Sequence, residues 1–509
     1  MISKTRSAGG DVVFLTVLGA LSQGLGFAYR VALSRMVGAQ VMGLYQLLMP
    51  VYSVLLSLTS VGMTAAASNL TARQLARGDR RGAAQTRNTC LLLFFLLLLP
   101  LAAVVVLGSD AISVRLLGDA RTQLGLILLL PCVALTGVEN IHKHIFFGAG
   151  RVRAPAVSEL MEQLVRAAAV LGLLAALLPQ HPERAAGLII AGMALCEVWS
   201  ACTLTLLYRR WLRRTGCSGP GESARRRLGH IAAIALPVAG NALLNHLLSA
   251  ANATLIPRML VAGGAAQAAA TAHFGVLAGM TLPMLALPTV FLGALNLVLT
   301  PSLARAAALD RKEELRRLIG RALSSVSRLE LPALGLLVVL GPDLGWVLFH
   351  QRAVGDYLLP LALTMAAGCW TSVLAAALNG VGRQTGVALI SLTGGGVQLL
   401  FTLTLVPRLG LGGYVLGALV SGGWELILCL GLTIRCTGLR LRLHAWLLGP
   451  ALAALLAALT GNLLRRTLLL RGVPRLPAAG AAAVFIWLLY LAALEAQGLS
   501  LRGVLRLEE

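Results

Sequence analysis

Charge is what this chain has least of. Only 12% of its residues are charged and 5% are aromatic, whereas a soluble globular domain carries about 25% charged residues. Lysine occurs three times, at Lys4, Lys143 and Lys312. None of the three follows a glycine, so no GxxxxGK[ST] loop exists and a P-loop ATPase is excluded. The eight cysteines form no CxxC pair and no metal-ligand spacing, and they read as small apolar packing residues. His142 and His144 are two residues apart and do not share a helical face. No Ser/His/Asp set and no paired carboxylates stand out. Neither an enzyme, a catalytic residue, a metal nor a cofactor is therefore expected.

What the chain has is apolar length. Of its 509 residues, 57% are hydrophobic and the mean hydropathy is +0.82. A bilayer core of about 30 Å takes about 20 residues of helix per crossing. Runs of that kind fall near 12–33, 40–66, 89–108, 122–147, 155–178 and 185–207, and then near 228–256, 271–299, 324–349, 358–381, 386–406 and 412–434. Two more follow near 445–464 and 478–497. The expected fold is an all-α integral membrane protein of about 14 transmembrane helices. The first run follows Lys4 and Arg6 but no small-residue cleavage site follows it, so it is read as a retained span.

Basic residues set the orientation, because cytoplasmic loops retain Lys and Arg. They gather after even-numbered spans: Arg73 to Arg87, Arg209 to Arg227, and Arg305 to Arg321. Both termini are expected in the cytoplasm of a plasma-membrane protein. Arg465, Arg466, Arg471 and Arg475, after span thirteen, dissent from the pattern. The net charge of +23 accordingly signals topology and anionic lipid headgroups rather than nucleic acid.

An internal repeat organises the spans. "FFGAGRVRAPA" at 146–156 and "LNGVGRQTGVA" at 378–388 share a G-x-G-R core 232 residues apart. "LAR" at 75–77 returns at 303–305, and Glu197 answers Glu425. The implied organisation is a six-helix lobe over 1–208, a basic linker over 209–227, a second six-helix lobe over 228–436, and two further helices with a tail over 437–509.

Several polar residues lie inside spans. Between Ala167 and Pro179 stand too few uncharged residues to cross a membrane, so span five extends back over Arg166 and Glu162. These two are four apart, on one face, with the carboxylate N-terminal, and can neutralise each other. Lining a cavity is preferred to snorkelling for them, since intramembrane charges usually face a cavity or a partner. The repeat lays Glu162, Gln163 and Arg166 onto Gly394, Gly395 and Gln398, so only the first lobe is charged here. Gln23 and Arg30 project from span one, where Arg30 suits interface anchoring or a cavity role alike. Asn241 and Asn245 share a face of span seven ahead of Arg258, fit for interhelical hydrogen bonds or cavity lining. Pro283 and Pro288 should kink span eight.

The stretches 25–63, "SELMEQLVR" at 158–166 and 274–306 resemble the stage V sporulation protein B family. That family belongs to the multidrug/oligosaccharidyl-lipid/polysaccharide exporter superfamily, which includes lipid II and O-antigen flippases and the MATE drug exporters. Two positions depart from it: Lys143-His144 stands where an R-G pair is usual, and Glu159 where Gln is common. The resemblance implies a V-shaped pair of six-helix lobes exposing a central cavity to each side in turn, with two extra C-terminal helices. It implies a flippase that moves a polyprenyl-diphosphate-linked saccharide, a peptidoglycan or spore-cortex precursor, to the outer leaflet. The substrate contacts would be Gln23, Arg30, Glu162, Gln163, Arg166, Asn241, Asn245 and Arg258, with arginines on the diphosphate. Expected partners are the lipid-linked oligosaccharide, membrane lipids and cell-wall synthesis proteins, with the chain acting as a monomer. A MATE-like cation antiporter using Glu162, and a membrane scaffold for wall-synthesis enzymes, are the competing readings.

Overall fold

The computed structural model describes residues 8–216, 218–289, 292, 295, 299, 302–303, 305–307, 309 and 311–499. Lys4, Arg6, Cys217, much of the end of span eight and part of the 303–305 landmark lie outside the described residues. Every element among the described residues is helical, with no strand.

The helices are α1 (Ala8–Leu56), α2 (Gly62–Ala76), α3 (Arg80–Leu107), α4 (Gln123–Gly148), α5 (Arg153–Leu177), α6 (Ala185–Thr215) and α7 (Ala224–Ala262). They continue as α8 (Gln267–Phe274), α9 (Lys312–Phe349), α10 (Leu358–Gly380), α11 (Gln384–Leu409), α12 (Leu411–Thr437), α13 (Gly449–Leu470) and α14 (Arg475–Ala496). Thirteen helical segments among the described residues are long and apolar enough to cross a membrane, and the first runs 60 residues from Val17 to Ala76. Unbroken, it would be about 90 Å long, three times a bilayer core. It breaks at Gly38, whose φ of 73° and ψ of 175° interrupt the helical path in a region that only glycine enters freely. Spans one and two are the two sides of that break, and the count returns to fourteen.

The outward faces are apolar, as lipid requires. Leu92, Leu96 and Leu99 on α3, spaced to share one face, are each more than 60% exposed. Inside, small residues let backbones approach. A Cβ on Gly192 would lie 2.7 Å from the Val170 Cα, so α6 meets α5 at backbone distance. That approach brings the polar residues of the two helices together. Past α8 the chain passes through a π-helical stretch (Gly275–Thr281), one α-helical turn (Leu282–Leu285) and a 3-10 turn (Leu287–Thr289). The regular ladder is thus interrupted around Pro283 and Pro288, as proline demands.

The chain divides into two compact units, Met1–Arg258 with Ala265–Gly275, and Met259–Gly264 with Val276–Glu509. The first contains α7 as far as Arg258, and this helix packs so closely that a Cβ on Gly62 would sit 2.6 Å from the Ala235 carbonyl oxygen. The repeat is visible in local hydrogen bonding. After α4, the amides of Gly150 and Arg151 donate to Phe147 O and Phe146 O, at 3.0 and 2.9 Å. After α10, Gly382 and Arg383 donate to Asn379 O and Leu378 O, at 3.1 and 2.8 Å. Both glycines have positive φ, 69° and 81°, the left-handed geometry in which a helix ends most cheaply at glycine. The same turn therefore stands in both copies of G-x-G-R.

The dissenting Arg465 is an ion pair. Its guanidinium bonds Asp343 of α9 and, at 3.3 Å, Asn462 Oδ1. Arg465 lies within α13 rather than in the loop that follows it, and the pairing compensates its charge there.

Candidate functional site

Within the first unit, three helices carry five charged residues to one place. α4 contributes Glu139 and Lys143, α5 contributes Glu162 and Arg166, and α6 contributes Glu197. Each pair within one helix has four-residue spacing, which puts both members on one face. Lys143 Nζ lies 2.6 Å from Glu139 Oε1 and 3.3 Å from Glu162 Oε2. Arg166 Nη2 pairs with Glu162 Oε1 and lies 3.3 Å from Glu197 Oε1. Glu162 thus bridges the lysine and the arginine, and Cys196 Sγ, 3.3 Å from its carbonyl oxygen, ties α6 to the same turn of α5.

All three glutamates are buried. Thirteen residues separate Arg166 from the start of α5 and eleven from its end, so about 20 Å and 16 Å of helix lie on its two sides. Burying charges at such depth is costly unless they are paired. Here three carboxylates meet two cations, so the fully ionised group carries one excess negative charge. One shared proton would balance it.

The glutamates could in principle hold a cation, because each offers an oxygen within 4.8 Å of the others. A metal would have to displace the Lys143 ammonium and the Arg166 guanidinium, which already take up those oxygens. The chemistry is that of an ion-pair network with spare capacity. Among the described residues, Arg166 Nε, Glu197 Oε2, Ser200 Oγ and Tyr29 Oη have no hydrogen-bond partner, and 22% of the Arg166 side chain is accessible.

The remaining sequence candidates distribute unevenly. Gln163 packs against span one, its Oε1 3.7 Å from where a Cβ on Gly26 would be. Arg30 is half-buried in the same span. Its chain neighbour Tyr29 is buried, as is Tyr45. Gln23 is exposed. Asn245 donates to Asn241 O at 2.9 Å along its own helix, so the bonds between these two asparagines run within α7. Arg258 lies beside Gly118, 3.7 Å from where its Cβ would be. Gly118 belongs to the link between α3 and α4, the end of the unit at which α5 finishes. Arg258 is therefore not brought to Arg166.

Glu139 and Lys143 were not among the expected site residues. Their signal was available: a four-residue Glu–Lys spacing inside an apolar span, the same one that marks Glu162 and Arg166. In the second copy, the offset of 232 puts Thr371 and Ala375 at those two positions. There a Cβ on Gly394 would collide with the Glu425 side chain, so the glycine that replaces Glu162 makes room for that carboxylate. Gln398, in place of Arg166, bonds Tyr414 O at 3.3 Å and Ser421 Oγ at 3.2 Å. The charged network belongs to one copy of the repeat.

Comparison with known proteins agrees with this architecture. Stage V sporulation protein B of Bacillus subtilis (strain 168) is 24% identical over 419 residues, 81% of this chain and 80% of that protein. Sporulation protein YkvU of the same organism is 21% identical over 357 residues, 68% of this chain and 76% of its own. Among solved structures, lipid II flippase MurJ in an inward closed conformation superposes with TM-score 0.70 at 11% identity, covering 95% of this chain and 98% of that one. An inward-facing MATE family multidrug resistance transporter of the MOP superfamily gives TM-score 0.63 at 15% identity, over 83% of this chain and 96% of its own. The difference in coverage is about the size of the last two helices with their connections. The model of the polysaccharide biosynthesis protein family matches residues 9–307, more than half of the chain, and the chain is a member of that family.

Proposed function

We propose that this protein is a flippase that carries a polyprenyl-diphosphate-linked cell-wall saccharide from the inner to the outer leaflet of the plasma membrane by alternating access. Family membership and likeness to lipid II flippase MurJ support a lipid-linked saccharide as cargo. Kinship with stage V sporulation protein B supports a peptidoglycan or spore-cortex precursor. The observation that carries the reading is Arg166. It is a mid-span guanidinium held by Glu162 and Glu197, with its Nε unpartnered and its side chain partly accessible. Its planar fork suits a diphosphate, with Arg30 as second contact and Glu162 as the partner that holds it when no substrate is bound. An interior-negative potential favours outward movement of an anion by about 2.3 kcal/mol per charge per 100 mV, so export of the headgroup needs no ATP. The chain would work as a monomer with both termini in the cytoplasm, transporting rather than catalysing, and in proximity to wall-synthesis proteins.

A second reading rests on the three buried carboxylates. Their excess negative charge suits a cation antiporter of the MATE kind, with Glu162 as the coupling group. Complementation separates the two. The gene should rescue a strain lacking its peptidoglycan or polysaccharide flippase, and Arg30→Ala and Arg166→Ala should abolish rescue. Failure of the wild-type gene in both kinds of strain would overturn the flippase reading. Rescue that survives Arg166→Ala would favour a scaffold that does not transport.

A further inference from the structure

The second unit contains a cavity that the transport reading does not use. It has a volume of about 610 Å³ and opens between the first turns of α9 and the segment that joins α12 to α13. Among the described residues, six arginines line it, Arg316, Arg317, Arg321 and Arg328 from α9 and Arg440 and Arg442 from the joining segment, against one carboxylate, Glu313. The arginines of α9 fall at one- to seven-residue spacings that spread them along one side of its first five turns.

The fold builds this concentration of charge deliberately in two steps. Gly438 ends α12 in the left-handed conformation, at φ 64° and ψ 31°, and so turns the chain back across α9. Arg316 fastens the turn by donating Nε–H to Thr437 O at 2.9 Å. Gly320 lets Trp446 lie against α9, since a Cβ there would be 2.6 Å from the indole Cζ2. The walls are thus fixed by backbone geometry, and the arginines stay together despite their mutual repulsion. Ser324 also lines the cavity; it is 92% buried, and its Oγ has no hydrogen-bond partner among the described residues.

We propose that this cavity binds the phosphate group of an anionic phospholipid from the cytoplasmic leaflet. Guanidinium groups around one hydroxyl recognise phosphate oxygens, and the volume suits a headgroup. Two observations select a lipid over a soluble phosphate. The cavity is at the basic end of α9, the end that the charge rule assigns to the cytoplasmic interface. Along the chain, the lining residues Arg442 and Ala445 also lead into exposed apolar residues, Leu443 and Leu448 and then Leu452, Leu455, Leu459 and Leu463 of α13. Acyl chains can run along that row while the phosphate sits among the arginines.

The test uses the full-length protein in nanodiscs of phosphatidylcholine with a rising fraction of phosphatidylglycerol, and native mass spectrometry to count retained lipid. Wild type should keep one phosphatidylglycerol that survives delipidation. Arg440→Ala/Arg442→Ala, on an exposed segment that can lose its side chains without unfolding, should bind it about 30-fold more weakly, the worth of two basic groups at a lipid surface. Arg209→Ala/Arg210→Ala, which removes equal charge outside the cavity, should leave retention unchanged. An equal loss in both variants would reduce the effect to bulk charge and overturn the site. Displacement of the lipid by millimolar inorganic phosphate would overturn the lipid as its occupant.

Discussion

Lys143→Ala tests the charge balance of the buried network directly. Lys143 Nζ is 2.6 Å from Glu139 and 3.3 Å from Glu162, and 13% of the side chain is accessible. Removing it leaves three carboxylates on one cation. Arg166 still serves Glu162 and Glu197, so Glu139 is the group left without a partner. Stripping one member from a buried pair costs about 3–5 kcal/mol. Protonation of Glu139 limits the loss. At pH 7, holding a glutamate of ordinary pKa about 4.3 in its neutral form costs about 3.7 kcal/mol, at about 1.36 kcal/mol per pH unit. The expected loss is therefore about 3–4 kcal/mol at pH 7 and about 1 kcal/mol at pH 5.

Glu139→Gln should behave in the opposite way. It leaves two carboxylates with two cations, so its own effect should stay below about 1 kcal/mol. The double variant restores the wild-type excess of one negative charge and should recover most of what Lys143→Ala loses, a coupling of about 2–3 kcal/mol in the double-mutant cycle. Thermal inactivation of the detergent-solubilised protein, followed as a half-life at fixed temperature because membrane proteins seldom refold on cooling, provides the readout. The reasoning fails if Lys143→Ala is as stable as wild type at pH 7, or if the double variant loses as much as the single.

Other outcomes follow from the same structure. Gly38→Ala forces a side chain into the backbone region at φ 73° and ψ 175° and should destabilise the protein by about 1–3 kcal/mol, measured in the same inactivation assay. Asp119, in the link before α4, is pushed up by burial but more strongly down by its hydrogen bonds from Arg121, so its pKa lies below the ordinary value. A depressed carboxylate contributes stability above its unfolded pKa and loses it as pH falls through the folded one. Asp119→Asn should accordingly weaken the protein at pH 7, with a difference from wild type that narrows only once pH falls below the ordinary aspartate range. Arg166→Ala and Arg258→Ala should part in the complementation assay. The first should abolish rescue and the second should largely preserve it, because Arg258 lies beside Gly118. Equal defects would place both in one site.

The amino-acid sequence alone determined the membrane class, the number of spans and the duplicated G-x-G-R turn. These follow from apolar run length and local backbone geometry, which depend on neighbours along the chain. Glu162 and Arg166 were legible for the same reason, since four-residue spacing fixes their meeting on one helix. Tertiary structure alone decided what they meet. That Glu197 reaches Arg166 and Lys143 reaches Glu162 depends on how α4, α5 and α6 pack, and spacing within one helix carries no information about its neighbours. The same limit explains Arg465, whose charge is held by Asp343, 122 residues away along the chain. It explains the arginine cavity too, because α9 and the segment after α12 are distant in sequence and meet because Gly438 turns the chain back.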